Sequence, residues 1–284
     1  MRLLDLPQAR HFCAPSASII GGISSQSLAS FHNSLPKKGV VLLREGTTHF
    51  HVHQISLLNS IDRWLVYSLG LYRRSVDMLV PVSAPWAQVT LYYASFFAAN
   101  AILGIFGCWI GTTPFGERLV DVDRGISGDQ QLMVHRNPPS PNGAKGSHRR
   151  FWDFFYEGTA TISAWAPAEL APALNPVNGD FGWQIAERNK VNYDMFYAWS
   201  ASTLFFDTFN RSRLRTSGPL QLQLEASETI IRLALYFANA AALSTAALEG
   251  CGATGTTQQI QKRLASQAPP NLVMQSEFYS MLGQ

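Results

Sequence analysis

No charged side chain occurs between Met78 and Gly116, and the centre of that run, Trp86–Gly107, is dominated by aromatic, aliphatic and small residues. Pro85 precedes it, as suits a first helical turn, where a missing N–H costs nothing. Tyr93, Phe97 and Asn100, with Tyr92 and Phe96 beside them, recur at helical steps and form one bulky stripe. Ala94, Ala98, Ala99 and Ala101 supply small surfaces where a neighbouring helix can approach closely. A helix apolar almost all round must be buried, in a protein core or in a bilayer. About 20 apolar residues would span a membrane. Gln88, Thr90, Ser95 and Asn100 interrupt the run, however, and its flanks carry no Lys/Arg cluster. The pattern therefore predicts the central helix of a helical domain over a membrane anchor.

The chain has 284 residues, 46% of them hydrophobic and 14% charged, which describes a folded globule with a substantial core. A net charge of +3 demands neither nucleic acid nor a membrane. Arginines cluster at Arg149–Arg150 and at Arg211, Arg213 and Arg215. They read as solvated faces, with phosphate binding the alternative. Cys13, Cys108 and Cys251 are odd in number, widely spaced and without a CxxC, so reduced thiols are expected. Asp5 and Pro7 break the short apolar start, so it does not read as a signal peptide. The cytoplasm is the expected compartment.

Along the chain, a loop with a short helix around Ser24–Ser34 precedes a predicted β-hairpin, Val40–Leu43 and His49–Ile55 about a turn at Gly46. Helical spacing runs from Ser60 to Met78 and again through Trp86–Gly107. A second hairpin is predicted within Thr112–Asn137, followed by a Pro/Gly/Ser loop. Further helices are expected at His148–Trp165, at Asp180–Asn210 and from Pro219 to about Gly250. The expected fold is mainly α, a helical bundle around a buried central helix with two small β-hairpin insertions. Its parts are an N-terminal segment with a hairpin (1–58), a helical domain (59–250) with an insertion at about 112–147, and a polar tail (251–284).

Candidate chemistry concentrates in Glu187–Asp194, ERNKVNYD. Arg188 and Asn192 share a helix face, and Asn189 and Tyr193 share the next. Two asparagines inside a helix cost propensity, which suggests a polar site or a buried network. An ordinary solvated turn is the plain alternative. The pair YYASFFAANAIL on one helix and RNKVNY on a later one resembles the HEPN superfamily of helical domains, particularly its YaaC-like branch. The likeness covers Ser60–Gly107 and His148–Gly250. It implies a metal-independent endoribonuclease or a degenerate relative, without cofactor, acting on RNA as a homodimer in a bacterial defence setting. Carried onto this chain, it implies phosphate contact at Arg188, positioning by Asn189 and Asn192 with Lys190 beside them, and stacking or hydrogen bonding by Tyr193.

The pattern departs from the family's ribonucleases at Tyr193, which stands where they carry histidine. Tyrosine, with a pKa of about 10 against about 6.5 for histidine, is a poor base near neutrality. Either the chain does not cleave, which is the favoured expectation, or another histidine serves. Outside the N-terminal group the candidates are His135 and His148.

His49, His51 and His53 would share one face of the predicted strand, but alternate residues lie roughly 7 Å apart along it, too far for one ion to take all three. An exposed face is the expectation there. No phosphate-binding glycine loop or Gly-x-Ser-x-Gly is present. Asp121, Asp123 and Asp129 lack the spacing of a calcium loop, and no metal site is expected. Two other classes stand beside the RNA reading: a non-enzymatic subunit of a larger complex, and a membrane-associated protein.

Overall fold

The computed structural model describes residues 1–22, 26–37, 39–79, 83–123, 131–194, 197–198, 200 and 218–241. Three short helices, α1 (Leu6–Phe12), α2 (Ala17–Gly22) and α3 (Leu28–Ser34), lead into strand β1 (Val41–Arg44). Two long helices follow, α4 (Thr48–Asp77) and α5 (Ala84–Ile105), then strands β2 (Trp109–Thr113), β3 (Gly116–Asp123) and β4 (Gln131–Arg136). Helices α6 (Ser147–Thr159), α7 (Trp183–Tyr193) and α8 (Pro219–Ala240) complete the described chain, with short 3-10 turns between α6 and α7. The fold is mainly helical, as the sequence predicts, with a small antiparallel sheet.

Helix α5 is the hub. Ala94, Ala98, Ala99 and Ala101 are fully buried, so α4 and α8 pack close to its backbone. Close approach to α4 is visible at Gly104, where a Cβ would stand 2.7 Å from Ile61 Cγ1. On the α8 side, the Ser95 and Ser227 hydroxyls lie 2.9 Å apart, and Ser227 Oγ also donates to the Leu91 carbonyl at 3.0 Å. The bulky residues Tyr93 and Phe96 are only half-buried and face the candidate site, while half-buried Phe97 packs against Tyr67 of α4. Ala84–Ile105 is long and apolar enough to cross a membrane, yet 78% of its apolar window is buried within this fold.

The first predicted hairpin is corrected. Only Val41–Arg44 is a strand, and His49–Ile55 opens the 30-residue α4. Gly46, at φ +81°, closes the turn, and Thr47 caps the helix by accepting the Phe50 amide at 3.3 Å. The alternation His-Phe-His-Val-His imitates a strand, but the buried set Phe50, His53, Gln54, Leu57, Leu58 and Ile61 has the helical period. His49 and His53 therefore share a helix face that His51 leaves. In place of two hairpins there is one four-stranded sheet, ordered β1-β4-β3-β2, in which Val41 pairs with Val134. The β3–β4 pairing is the second hairpin as predicted, its turn (124–130) lying outside the described residues.

The long helix expected over Asp180–Asn210 is also interrupted. Helix α7 ends at Tyr193, and Asp194 is extended, at φ −124° and ψ 94°. The Asp194 carboxylate accepts the Tyr197 amide at 2.9 Å, so it caps a new turn instead of continuing the old one. Residues 201–217, which include Arg211, Arg213 and Arg215, lie outside the described set, as do Asp129, Cys251 and the tail from 242 onward. Arg150 pairs with Glu117 at 2.9 Å, and Arg149 approaches Asp180 at 3.8 Å. Leu3, Leu4, Phe12 and Phe31 join the same core as α5 and α8.

Candidate functional site: an arginine on an aromatic platform

The half-buried stripe of α5 and the face of α7 carrying Arg188 meet beside the first turn of α6. Arg188 Cζ lies 4.9 Å from the Tyr92 ring centroid and 6.0 Å from that of Tyr93. A guanidinium over an aromatic face gains on the order of 1 kcal/mol, more where water is excluded. Arg188 Nη2 and Nε donate to Asn189 Oδ1 at 2.8 and 3.2 Å, and Nη1 reaches the Tyr93 hydroxyl at 3.5 Å. Asn189 thus holds the fork in place. No carboxylate pairs with Arg188 among the described residues, so its charge is available to an anion.

His148 enters the same platform from α6. Its Nδ1 lies 2.8 Å from the Tyr92 hydroxyl, and its ring packs 5.0 Å from Phe96 between centroids. Burial, and then the charge of Arg188, lower the His148 pKa below its ordinary value, so the imidazole is neutral at pH 7. Burial pushes the Tyr92 hydroxyl well above the ordinary tyrosine range, which keeps its proton in place. With Nδ1 engaged by Tyr92, Nε2 is the nitrogen left for a ligand. His148 also lines a cleft of about 230 Å³, walled by Phe96, Ile110, Thr112, Glu117 and Phe151. Glu117, facing Arg150, brings no unbalanced charge there.

The residues singled out in the sequence divide into two groups. Arg188 and Asn189 form the platform's cationic side. Lys190 instead pairs with Glu187 at 2.7 Å, and Glu187 also accepts a short hydrogen bond from the Tyr197 hydroxyl. Asn192 is exposed, and Tyr193 is 85% exposed at the end of α7, so neither is gathered around the guanidinium. Tyr92, Tyr93 and His148 take the places that spacing within 187–194 could not reveal. Tyr92 and Tyr93 were visible as part of the α5 stripe and His148 as a spare histidine, but nothing in one dimension joins them. Among the described residues no group of three or more His, Cys, Asp or Glu is placed to hold a metal ion.

Neither a known protein family, nor a curated protein, nor a solved structure matches the chain.

Proposed function

We propose that this protein binds single-stranded RNA at the Arg188–His148 platform and processes it without a metal ion. The unpaired Arg188 guanidinium beside a neutral imidazole, both held by Tyr92, is the observation that carries this reading. A guanidinium fork suits a phosphodiester and the charge that develops on it. Phe96, half-buried at the mouth of the cleft, offers a face on which an unstacked base can rest. His148 stands in for the histidine that the HEPN pattern places where this chain has Tyr193. In the proposed step His148 takes the proton of a 2′-hydroxyl while the 2′-oxygen bonds to phosphorus. The bond to the 5′-oxygen breaks, and that oxygen leaves with the proton His148 returns. The products are a 2′,3′-cyclic phosphate and a 5′-hydroxyl. A cytoplasmic homodimer in a defence setting belongs to the same proposal and rests on the resemblance.

The test is cleavage of end-labelled single-stranded RNA by the purified protein in EDTA. Cleavage should persist in EDTA and in Tyr193→Phe, and fall by at least about a hundredfold in Arg188→Ala and His148→Gln. Binding without cleavage, weakened by Arg188→Ala, would reduce the site to an RNA-binding one. Absence of binding by the folded wild type would overturn both.

A further inference from the structure

Arg118 is buried to 1% exposure on the core face of β3, and no carboxylate accompanies it among the described residues. Its Nη2 reaches only the Pro36 carbonyl, at 3.4 Å, while Nε and Nη1 have no hydrogen-bond partner. The nearest charge acting on it is Arg136, of like sign and directly across the ladder. Burial and Arg136 lower its proton affinity, but an arginine starts so far above neutrality that the group stays charged. An isolated buried charge costs several kcal/mol unless something compensates it.

Its neighbours define what that is. His32 of α3 is fully buried, stacked on Trp109 with centroids 4.3 Å apart, and sits 5.3 Å from the His53 ring of α4. Neither ring nitrogen of His32 has a partner, and those of His53 make no hydrogen bond of good geometry. Burial, then His53 and Arg118, push the His32 pKa down to about 2. Burial takes His53 to about 4, with the Gly107 carbonyl opposing. Both imidazoles are therefore neutral at pH 7; the single N–H of His53 is directed at the Gly107 carbonyl, which leaves that of His32 without an acceptor. Among the described residues the cluster holds one positive charge, unused donors on Arg118 and His32, and no negative charge. A metal cation would face Arg118 and find two imidazoles but no third ligand among the described residues.

We infer that Arg118, His32 and His53 enclose a binding site for a small inorganic anion, buried beneath the sheet. The anion neutralises Arg118 and accepts the free N–H of His32, with the His53 ring closing the site behind it. None of these residues belongs to the Arg188 platform, so the site is structural or regulatory rather than part of the RNA reading.

The full-length protein, dialysed into sodium gluconate, is titrated with chloride, bromide or phosphate at constant ionic strength, and its melting temperature is followed. A ligand bound only by the folded state raises the midpoint in proportion to the logarithm of its concentration above Kd. At least one of chloride, bromide and phosphate should do so in the wild type. Arg118→Met should abolish the dependence. His32→Phe, which keeps a ring on Trp109, should weaken apparent anion affinity at least about tenfold, as loss of a hydrogen bond to a charged group does. The same wild-type midpoint in gluconate, chloride, bromide and phosphate would overturn the inference. So would an undiminished anion response in folded His32→Phe, whether or not Arg118→Met folds.

Discussion

Replacing Gly104 with alanine tests the closest packing of the hub helix. The new Cβ would lie 2.7 Å from Ile61 Cγ1, 3.1 Å from Ile61 Cδ1 and 3.3 Å from Leu57 Cδ1. Ordinary carbon–carbon contact is about 3.5–4.0 Å, so roughly 1 Å must be recovered against a side chain with no free surface. Overpacking of this kind costs about 1–3 kcal/mol. Alanine returns up to about 1 kcal/mol of helix propensity over glycine. The net loss is therefore up to about 2 kcal/mol, a fall in Tm of up to roughly 4 °C for a chain of this size. In an Ile61→Ala background both severe contacts vanish. There Gly104→Ala should stabilise by about 0.5–1 kcal/mol, the propensity gain alone. The effect thus shifts from destabilising to stabilising between backgrounds, a coupling of about 1–3 kcal/mol. Urea denaturation of the four proteins measures it. Equal destabilisation in both backgrounds would show that α4 and α5 do not meet at Gly104.

Thr47→Ala removes the cap that turns the histidine segment into a helix and should cost about 1 kcal/mol by thermal melting, whereas a hairpin turn at that point would tolerate it. Because His32 and His53 have folded pKa values of about 2 and 4, the unfolded chain binds more protons below its ordinary value of about 6.5. Stability should be complete above about pH 6.5 and fall as the pH drops toward 4, with a shallower slope in His53→Gln; a flat wild-type profile would contradict the burial of these rings. RNA affinity should fall with salt, and Arg188→Ala should reduce that slope by about one phosphate contact, read by fluorescence anisotropy. An unchanged slope would place the phosphate elsewhere.

The hub was legible because periodicity and a charge-free run act locally: Trp86–Gly107 was predicted and Ala84–Ile105 is the helix. Small residues marked where helices meet, and Ala94, Ala98 and Ala101 are buried as that logic requires. The histidine segment misled because alternation over seven residues fits a strand, while the deciding signals were Thr47 and the continuation of a helical period through Ile61. Asp194 misled for a related reason, since a single cap can outweigh the propensity of the flanking sequence. At the site, Arg188 stood out by its spacing to Asn192 and by the RNKVNY resemblance. Its relation to His148, forty positions earlier and on another helix, exists only because both touch Tyr92, and no spacing rule encodes that meeting.

Tyr92 touches Arg188 with its ring and His148 with its hydroxyl, and Arg188 depresses the basicity of His148. An anion settling on Arg188 would cancel part of that repulsion, so the imidazole would gain affinity for a proton as the ligand arrives. Linkage makes the relation reciprocal: acidification would tighten anion binding by the same free energy. Occupancy of the platform would then draw protons from solution, a flux that calorimetry in buffers of different ionisation enthalpy can count. Under the proposed reading, the tyrosine that holds the two groups side by side would thereby couple anion binding to proton uptake.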